Sequence, residues 1–85
     1  MKNHYGVSHQ IGRNLKKIRR QKGLMQIDVA VITDLPRTYI SKIETGKARV
    51  TLSLMYRLVK GLEITSTDLI EGKSIPSPAQ ANYER

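Results

Sequence analysis

The chain has 85 residues, lacks cysteine, and carries 15 lysine and arginine residues against 7 acidic residues, which gives a net charge of +8. A chain of this length predicts one small domain with a modest core, and the lack of cysteine excludes disulfide bonds and thiolate metal sites. Because no apolar run approaches the ~18 residues of a membrane-spanning helix and no signal-peptide core begins the chain, we expect a soluble, cytoplasmic protein without a membrane partner.

The excess of positive charge predicts an anionic partner. A basic surface attracts polyanions and is the first property to look for in a nucleic-acid-binding protein. Ribosomal proteins and membrane-surface peptides share this property. Charge therefore ranks nucleic acid first without excluding the others.

Both ends of the chain are predicted to be flexible tails around one folded domain. Residues 1–8 are polar and aperiodic, and residues 73–85 contain two prolines and little to bury. The segment between them, residues 9–72, carries helix start and stop signals and no alternating stretch long enough for a strand. An all-α domain is therefore expected.

The first helix is expected to be capped by Ser8 and to end at Gly23. Ile11, Leu15 and Ile18 recur at i, i+4 and i+7 and form its apolar stripe. Its remaining surface is mainly basic, which is typical of an ordinary solvated face, and comprises Arg13, Lys16, Lys17, Arg19, Arg20 and Lys22.

Two short helices follow, separated by a tight turn. The second is predicted over Gln26–Thr33, with Asp34 at the turn, and the third over Pro36–Thr45, with Gly46 ending it. The third helix directs Ile40 and Ile43 inward and is expected to leave four polar residues largely outward: Arg37, Thr38, Ser41 and Lys42.

The last two helices carry cap signals at their starts. Thr51 is expected to cap a fourth helix with the apolar residues Leu52, Met55, Leu58, Val59 and Leu62. Thr65 and Asp68 resemble a capping box for a fifth helix, in which Leu69 and Ile70 are expected to close the core.

The second and third helices have the spacing of a helix-turn-helix. The major groove of B-DNA admits one α-helix, and residues near its N-terminus reach base edges. Arg37 can donate two hydrogen bonds to guanine O6 and N7, Thr38 can contact either kind of edge, and Lys42 lies one turn further on.

Three stretches resemble the Cro and phage-repressor type of helix-turn-helix domain: "IGRNLKKIRRQKGLMQIDVA", "RTYISKIETGK" and "TLSLMYRLVKGLEITSTDLI". The resemblance implies a compact five-helix bundle of the lambda-repressor-like kind. Within that family, "RTYIS-IE", the basic loop, "VTL" and "KGLEI" are similar to controller proteins of restriction-modification systems, which are small dimers that bind operators upstream of their own genes.

The resemblance also implies roles for individual side chains. Arg19 and Glu44 match an ion pair that ties helix one to helix three in relatives. Gln26 matches a helix-two glutamine that relatives place at the DNA backbone and at the adjoining base, which it reads. Arg37, Thr38 and Lys42 match the other base-reading positions. Those that match positions near the DNA backbone are Tyr39, Ser41, Lys47 and Arg49.

Some positions depart from the family pattern. Met25 and Pro36 stand where relatives usually have a capping serine or threonine, so two caps with their phosphate contacts are expected to be absent. Asp34 replaces a turn glycine but tolerates the left-handed region. Ala48 stands where controllers often have arginine, and Arg49 follows one residue later.

The apolar surface of helix two permits two interpretations. In one, Val29, Ala30 and Ile32 belong to the core, and Ile27 and Val31 are scattered surface residues. In the other, Ile27 and Val31 form a partner-contact patch. The first is favoured.

No catalytic or metal-binding pattern is present in the sequence. His4 and His9 lack acidic neighbours at ligand spacing, and no serine nucleophile, facing carboxylate pair or phosphate-cradling glycine motif occurs. The protein is predicted to be no enzyme and to need no metal, cofactor or small-molecule substrate.

The sequence thus predicts a transcriptional regulator that binds double-stranded DNA sequence-specifically. It is expected to act as a homodimer on a palindromic operator. The family resemblance implies that the Glu63–Ile70 region forms the dimer surface and that the protein controls its own operon or a restriction-modification system. The alternative is an antitoxin-like protein-interaction module whose tail binds a partner protein, with DNA binding secondary.

Overall fold

A computed structural model of the chain describes the backbone of residues 4–72 and the side chains of residues 6–72. Within this range there are five α-helices and no strand, which confirms the predicted all-α, five-helix class. The helices are α1 (His4–Gln21), α2 (Gln26–Thr33), α3 (Arg37–Glu44), α4 (Leu52–Leu62) and α5 (Ser66–Glu71). The predicted C-terminal tail, residues 73–85, and with it the tail on which the antitoxin-like alternative depends, lies outside the described residues.

Helix α1 begins earlier than expected. It starts at His4, so the predicted tail of residues 1–8 overlaps the helix, and residues 1–3 lie outside the described range. The prediction that Ser8 caps the helix is wrong: Ser8 is buried within α1, and its hydroxyl accepts a hydrogen bond from the Val50 N–H at 3.1 Å. A serine before an apolar stripe gives the same local signal in both settings, and only the contact with Val50 distinguishes them.

The core lies where α1 packs against α3 and α5, α2 against α3 and α4, and α4 against α5. Two apolar residues that were expected in the core are exposed instead, Ile70 at 46% and Ile32 at 44%, and Leu52, an apolar residue of the fourth helix, is 86% exposed. Leu52 is the first residue of α4, and Ile70 lies in the short helix α5. At such positions one turn of periodicity does not determine which side of the helix packs against the core. The fully buried side chains are Leu15, Ile18, Val29, Ile40, Ile43, Leu58 and Leu69.

The predicted N-terminal caps of α4 and α5 are present. The Thr51 hydroxyl accepts from the Leu54 N–H at 3.2 Å. Thr65 and Asp68 form a reciprocal capping box, with N–H to oxygen distances of 2.9 and 3.0 Å. These bonds occupy backbone donors that would otherwise be unpaired at the helix starts. They hold α4 and α5 at defined ends beside the core.

Helices α1 and α3 approach each other closely at Gly12. A β-carbon at this position would overlap the carbonyl oxygen of Ile43. Because the backbones touch here without a side chain between them, α1 forms a firm support behind α3. The outer side of α3 is consequently held in a fixed position.

Candidate nucleic-acid interface

The turn between α2 and α3 is fixed by backbone conformation and by a side chain from α4. Asp34 adopts the left-handed conformation with φ of 60°, as its residue type allows, and its N–H and that of Leu35 bond to carbonyls of α2. Arg57 donates from NH1 to the carbonyl oxygens of Thr33 and Asp34, at 3.3 Å each. A cation at these carbonyls complements the C-terminal end of α2. No local pattern in the sequence indicates this contact, because it joins residues more than twenty positions apart.

Helix α3 separates into a buried and an exposed side. Ile40, Ile43 and Glu44 are buried, whereas Arg37, Thr38 and Lys42 are exposed. Pro36 occupies the N-cap position, just before the first turn in which it was expected, and provides no side-chain cap. The three exposed side chains therefore share the outer side of a helix whose inner side is anchored in the core.

The predicted backbone-contacting residues occupy two settings. Tyr39 and Ser41 are half-buried on α3, and Tyr39 packs against the edge of the core. Lys47 and Arg49 are exposed in the loop after α3, whereas Ala48 between them is buried and bonds through its N–H to the carbonyl of Lys42. Because position 48 faces inward, a long cation is accommodated at 49.

The ion pair between Arg19 and Glu44 is present, and it is almost completely excluded from solvent. Arg19 donates from Nε to Glu44 Oε2 at 2.7 Å and from NH2 to Oε1 at 3.1 Å, and its NH1 bonds to the carbonyl of Leu24 at 2.8 Å. The two side chains are 10% and 1% exposed. This pair joins α1 to the end of α3 and to the segment before α2.

Gln26, the first residue of α2, links this pair to the exposed side of α3. Its Nε2 donates to Glu44 Oε1 at 3.0 Å, and its Oε1 accepts from Arg37 NH1 at 3.2 Å. The structure thus brings together four of the predicted residues: Arg19, Glu44, Gln26 and Arg37. Helical periodicity identifies none of these links, because they depend on how α2 and α3 cross.

The basic face of α1 points away from α3. At about 100° per residue, Arg13 lies roughly opposite Ile11 and Leu15, which are buried toward the core. Since α3 packs against the inner side of α1, the exposed sides of α1 and α3 face different directions. Arg13 therefore lies on a different exposed side of the molecule from Arg37 and Lys42.

An exposed apolar surface lies on α4. A groove of about 500 Å³ runs along it and is lined by Leu52, Ser53, Met55, Tyr56, Val59 and Ser66. Tyr56 is 65% exposed, and the ammonium of Lys60 lies 5.8 Å from its ring centroid. In the adjoining Glu63–Ile70 region, Ile64 and Leu69 are buried. The large exposed apolar side chains beside that region, Leu52 and Tyr56, are on α4, and Ile70 is 46% exposed within the region.

Among the residues that the structure describes, no group of three or more histidine, cysteine, aspartate or glutamate side chains is placed to hold a metal ion. No helix between residues 4 and 72 has both the length and the apolar character needed to cross a membrane.

Comparison with known proteins gives matches over most of the domain. A family model described as "Helix-turn-helix" matches residues 15–70. Control protein C.MunI from a Mycoplasma species is 43% identical over 64 residues, which span 74% of this chain and 86% of that protein. The restriction-modification controller protein C.AhdI from Aeromonas hydrophila has a TM-score of 0.71 at 30% identity, over 75% of this chain and 97% of that chain. Controller protein C.Esp1396I, solved as a tetramer in complex with its natural 35 base-pair operator, has a TM-score of 0.70 at 35% identity, over 76% of this chain and 86% of that chain.

Proposed function

We propose that this chain, which belongs to the helix-turn-helix family, is a transcriptional regulator that binds a specific double-stranded DNA operator as a homodimer. The observation that carries the proposal is the outer side of α3, where Arg37, Thr38 and Lys42 are exposed on a helix buried along its other side. The relatives named as controller proteins favour control of a restriction-modification system, or of the protein's own operon, as its role.

The division of labour follows from the chemistry of the side chains. Arg37 and Lys42 donate to guanine, and Thr38 contacts an adjoining edge or a thymine methyl group. Lys47 and Arg49 flank the end of α3 and neutralise phosphates, which fixes the position of the helix but carries no sequence information. The protein acts by binding, with no chemical step, and its similarity to bacterial regulators favours the cytoplasm as its location.

The dimer surface in this proposal combines the Glu63–Ile70 region with the α4 groove. A single small module holds DNA weakly, and a two-fold dimer places two reading helices about 34 Å apart in successive major grooves. Tyr56 and Leu52 are large, exposed apolar side chains at this surface, of the kind that a self-complementary interface buries.

The test is selection of bound duplexes from a random pool, followed by binding measurements on the selected sequence. We expect a palindrome with half-sites one helical turn apart. Arg37→Ala should lower the preference for the selected duplex over random competitor by roughly 5- to 150-fold, the value of one bidentate base contact, and should leave most non-specific binding intact. Arg13→Ala removes an equal charge from α1 and serves as the control. A pool that yields no enriched sequence contradicts the proposal.

A further inference from the structure

A series of hydrogen bonds runs from the core of the domain to the exposed side of α3. Glu44 Oε1 accepts from Arg19 NH2 at 3.1 Å and from Gln26 Nε2 at 3.0 Å. The other end of the same amide, Gln26 Oε1, accepts from Arg37 NH1 at 3.2 Å. One half-buried amide therefore joins a buried carboxylate to an exposed guanidinium.

The amide of Gln26 has only one favourable orientation. An ionised carboxylate such as that of Glu44 can only accept hydrogen bonds, and the guanidinium of Arg37 can only donate them. Rotating the amide by half a turn would oppose oxygen to oxygen at Glu44 and N–H to N–H at Arg37. Because Glu44 is itself fixed by two bonds from Arg19, the whole series has a defined direction.

This arrangement determines which edge of Arg37 remains available. NH1 is engaged by Gln26, and the edge that carries Nε and NH2 keeps its hydrogens for another partner. Arg19 uses the same edge to bind both oxygens of Glu44. Two parallel donors of this kind match the O6 and N7 acceptors of guanine. Holding a long side chain in this orientation before binding removes part of the ordering cost of the complex.

We propose that Gln26 is a positioning residue for Arg37 rather than a reader of bases: it transmits the anchor at Glu44 to the guanidinium and so sets specificity at the base pair that Arg37 contacts. This inference rests on the proposed function and replaces the base-reading role that the family resemblance implied for Gln26. Its own amide is oriented by two protein partners and not by DNA.

A double-mutant cycle on the selected duplex tests the proposal. Gln26→Leu, Arg37→Ala and the double variant are compared by the ratio of their affinities for selected and random duplex. We expect Gln26→Leu to lower this ratio several-fold, within the roughly 5- to 150-fold loss of Arg37→Ala. In the Arg37→Ala background, Gln26→Leu should have no further effect, because its partner is gone. Losses that add, as they do for independent sites, would mean that Gln26 reads a base itself, and they overturn the proposal.

Two further readouts separate positioning from a merely structural effect. Duplexes with single base-pair changes should show that Gln26→Leu and Arg37→Ala relax selectivity at the same base pair, and relaxation at different pairs contradicts the proposal.

Met25→Leu is the matched control, since Met25 is the exposed neighbour of Gln26 and makes no side-chain cap bond. It should keep the parent ratio, and a loss equal to that of Gln26→Leu also overturns the proposal. Variants of Glu44 are avoided, because they leave Arg19 unpaired in the core. Failure of the proposed function is distinct, since the parent protein would then prefer no duplex.

Discussion

Arg49 and Arg13 carry the same charge but occupy different surfaces. Arg49 is exposed in the loop after α3, beside the proposed reading helix, whereas Arg13 is on the outer side of α1. Each cation that neutralises a phosphate releases counterions from the duplex, and the salt dependence of affinity measures how many such contacts exist. Salt dependence therefore distinguishes a cation at the interface from one that contributes only net charge.

Arg49→Ala is expected to weaken binding to all duplexes alike and to flatten the slope of log affinity against log salt concentration by about one unit. Lys47→Ala should behave in the same way. Arg13→Ala should leave the slope close to that of the parent. Fluorescence anisotropy titrations over a range of salt concentrations provide the measurement, and equal slopes for Arg49→Ala and Arg13→Ala would remove the loop from the interface.

At the scale of helices, α4 and α2 both expose apolar side chains, and only one of these surfaces is proposed to mediate dimerisation. Tyr56 on α4 is 65% exposed and borders the groove, whereas Val31 on α2 is 74% exposed and stands apart from that groove. The favoured interpretation of the sequence treats Val31 as a scattered surface residue. The α4 surface continues into Ser66 on α5, which gives it the breadth that an interface needs.

Tyr56→Glu should weaken self-association by roughly tenfold or more, because aromatic residues at the centre of an interface carry much of its binding energy and a charge there is desolvated on association. Val31→Glu introduces the same charge at a similarly exposed position of α2 and should leave the dimer intact. Sedimentation velocity without DNA measures both. Dissociation by Val31→Glu but not by Tyr56→Glu would move the interface to α2.

The ends and caps of the helices show which parts of the fold can be predicted from the sequence. The caps at Thr51 and Thr65 and the left-handed turn at Asp34 follow from local chemistry and were predicted at the right residues. The start of α1 was predicted too late, because the role of Ser8 depends on Val50, far away in sequence. The exposure of Leu52 was missed for a related reason, since periodicity identifies an apolar side of a helix but not which end of it is covered.

At the scale of the whole molecule, the other helices support α3 from its buried side and leave its outer side, proposed to read DNA, exposed. The family and its resemblance to controller proteins were recognisable from the motifs in the sequence and are confirmed by the relatives. The pair of Arg19 and Glu44 was implied by that resemblance. Its extension through Gln26 to Arg37 was not, because it requires the α2 N-terminus to lie within hydrogen-bonding reach of side chains from both ends of α3. Contacts of this kind depend on how the helices pack and are not visible in the sequence.

The most direct test of the central claim, that the outer side of α3 enters the duplex, is an NMR titration of the isotope-labelled protein with the selected duplex. We expect the largest changes in chemical shift at Arg37, Thr38 and Lys42, smaller changes along the loop at Lys47 and Arg49, and none on the outer side of α1. Changes concentrated on the outer side of α1, with α3 unaffected, would contradict this mode of binding.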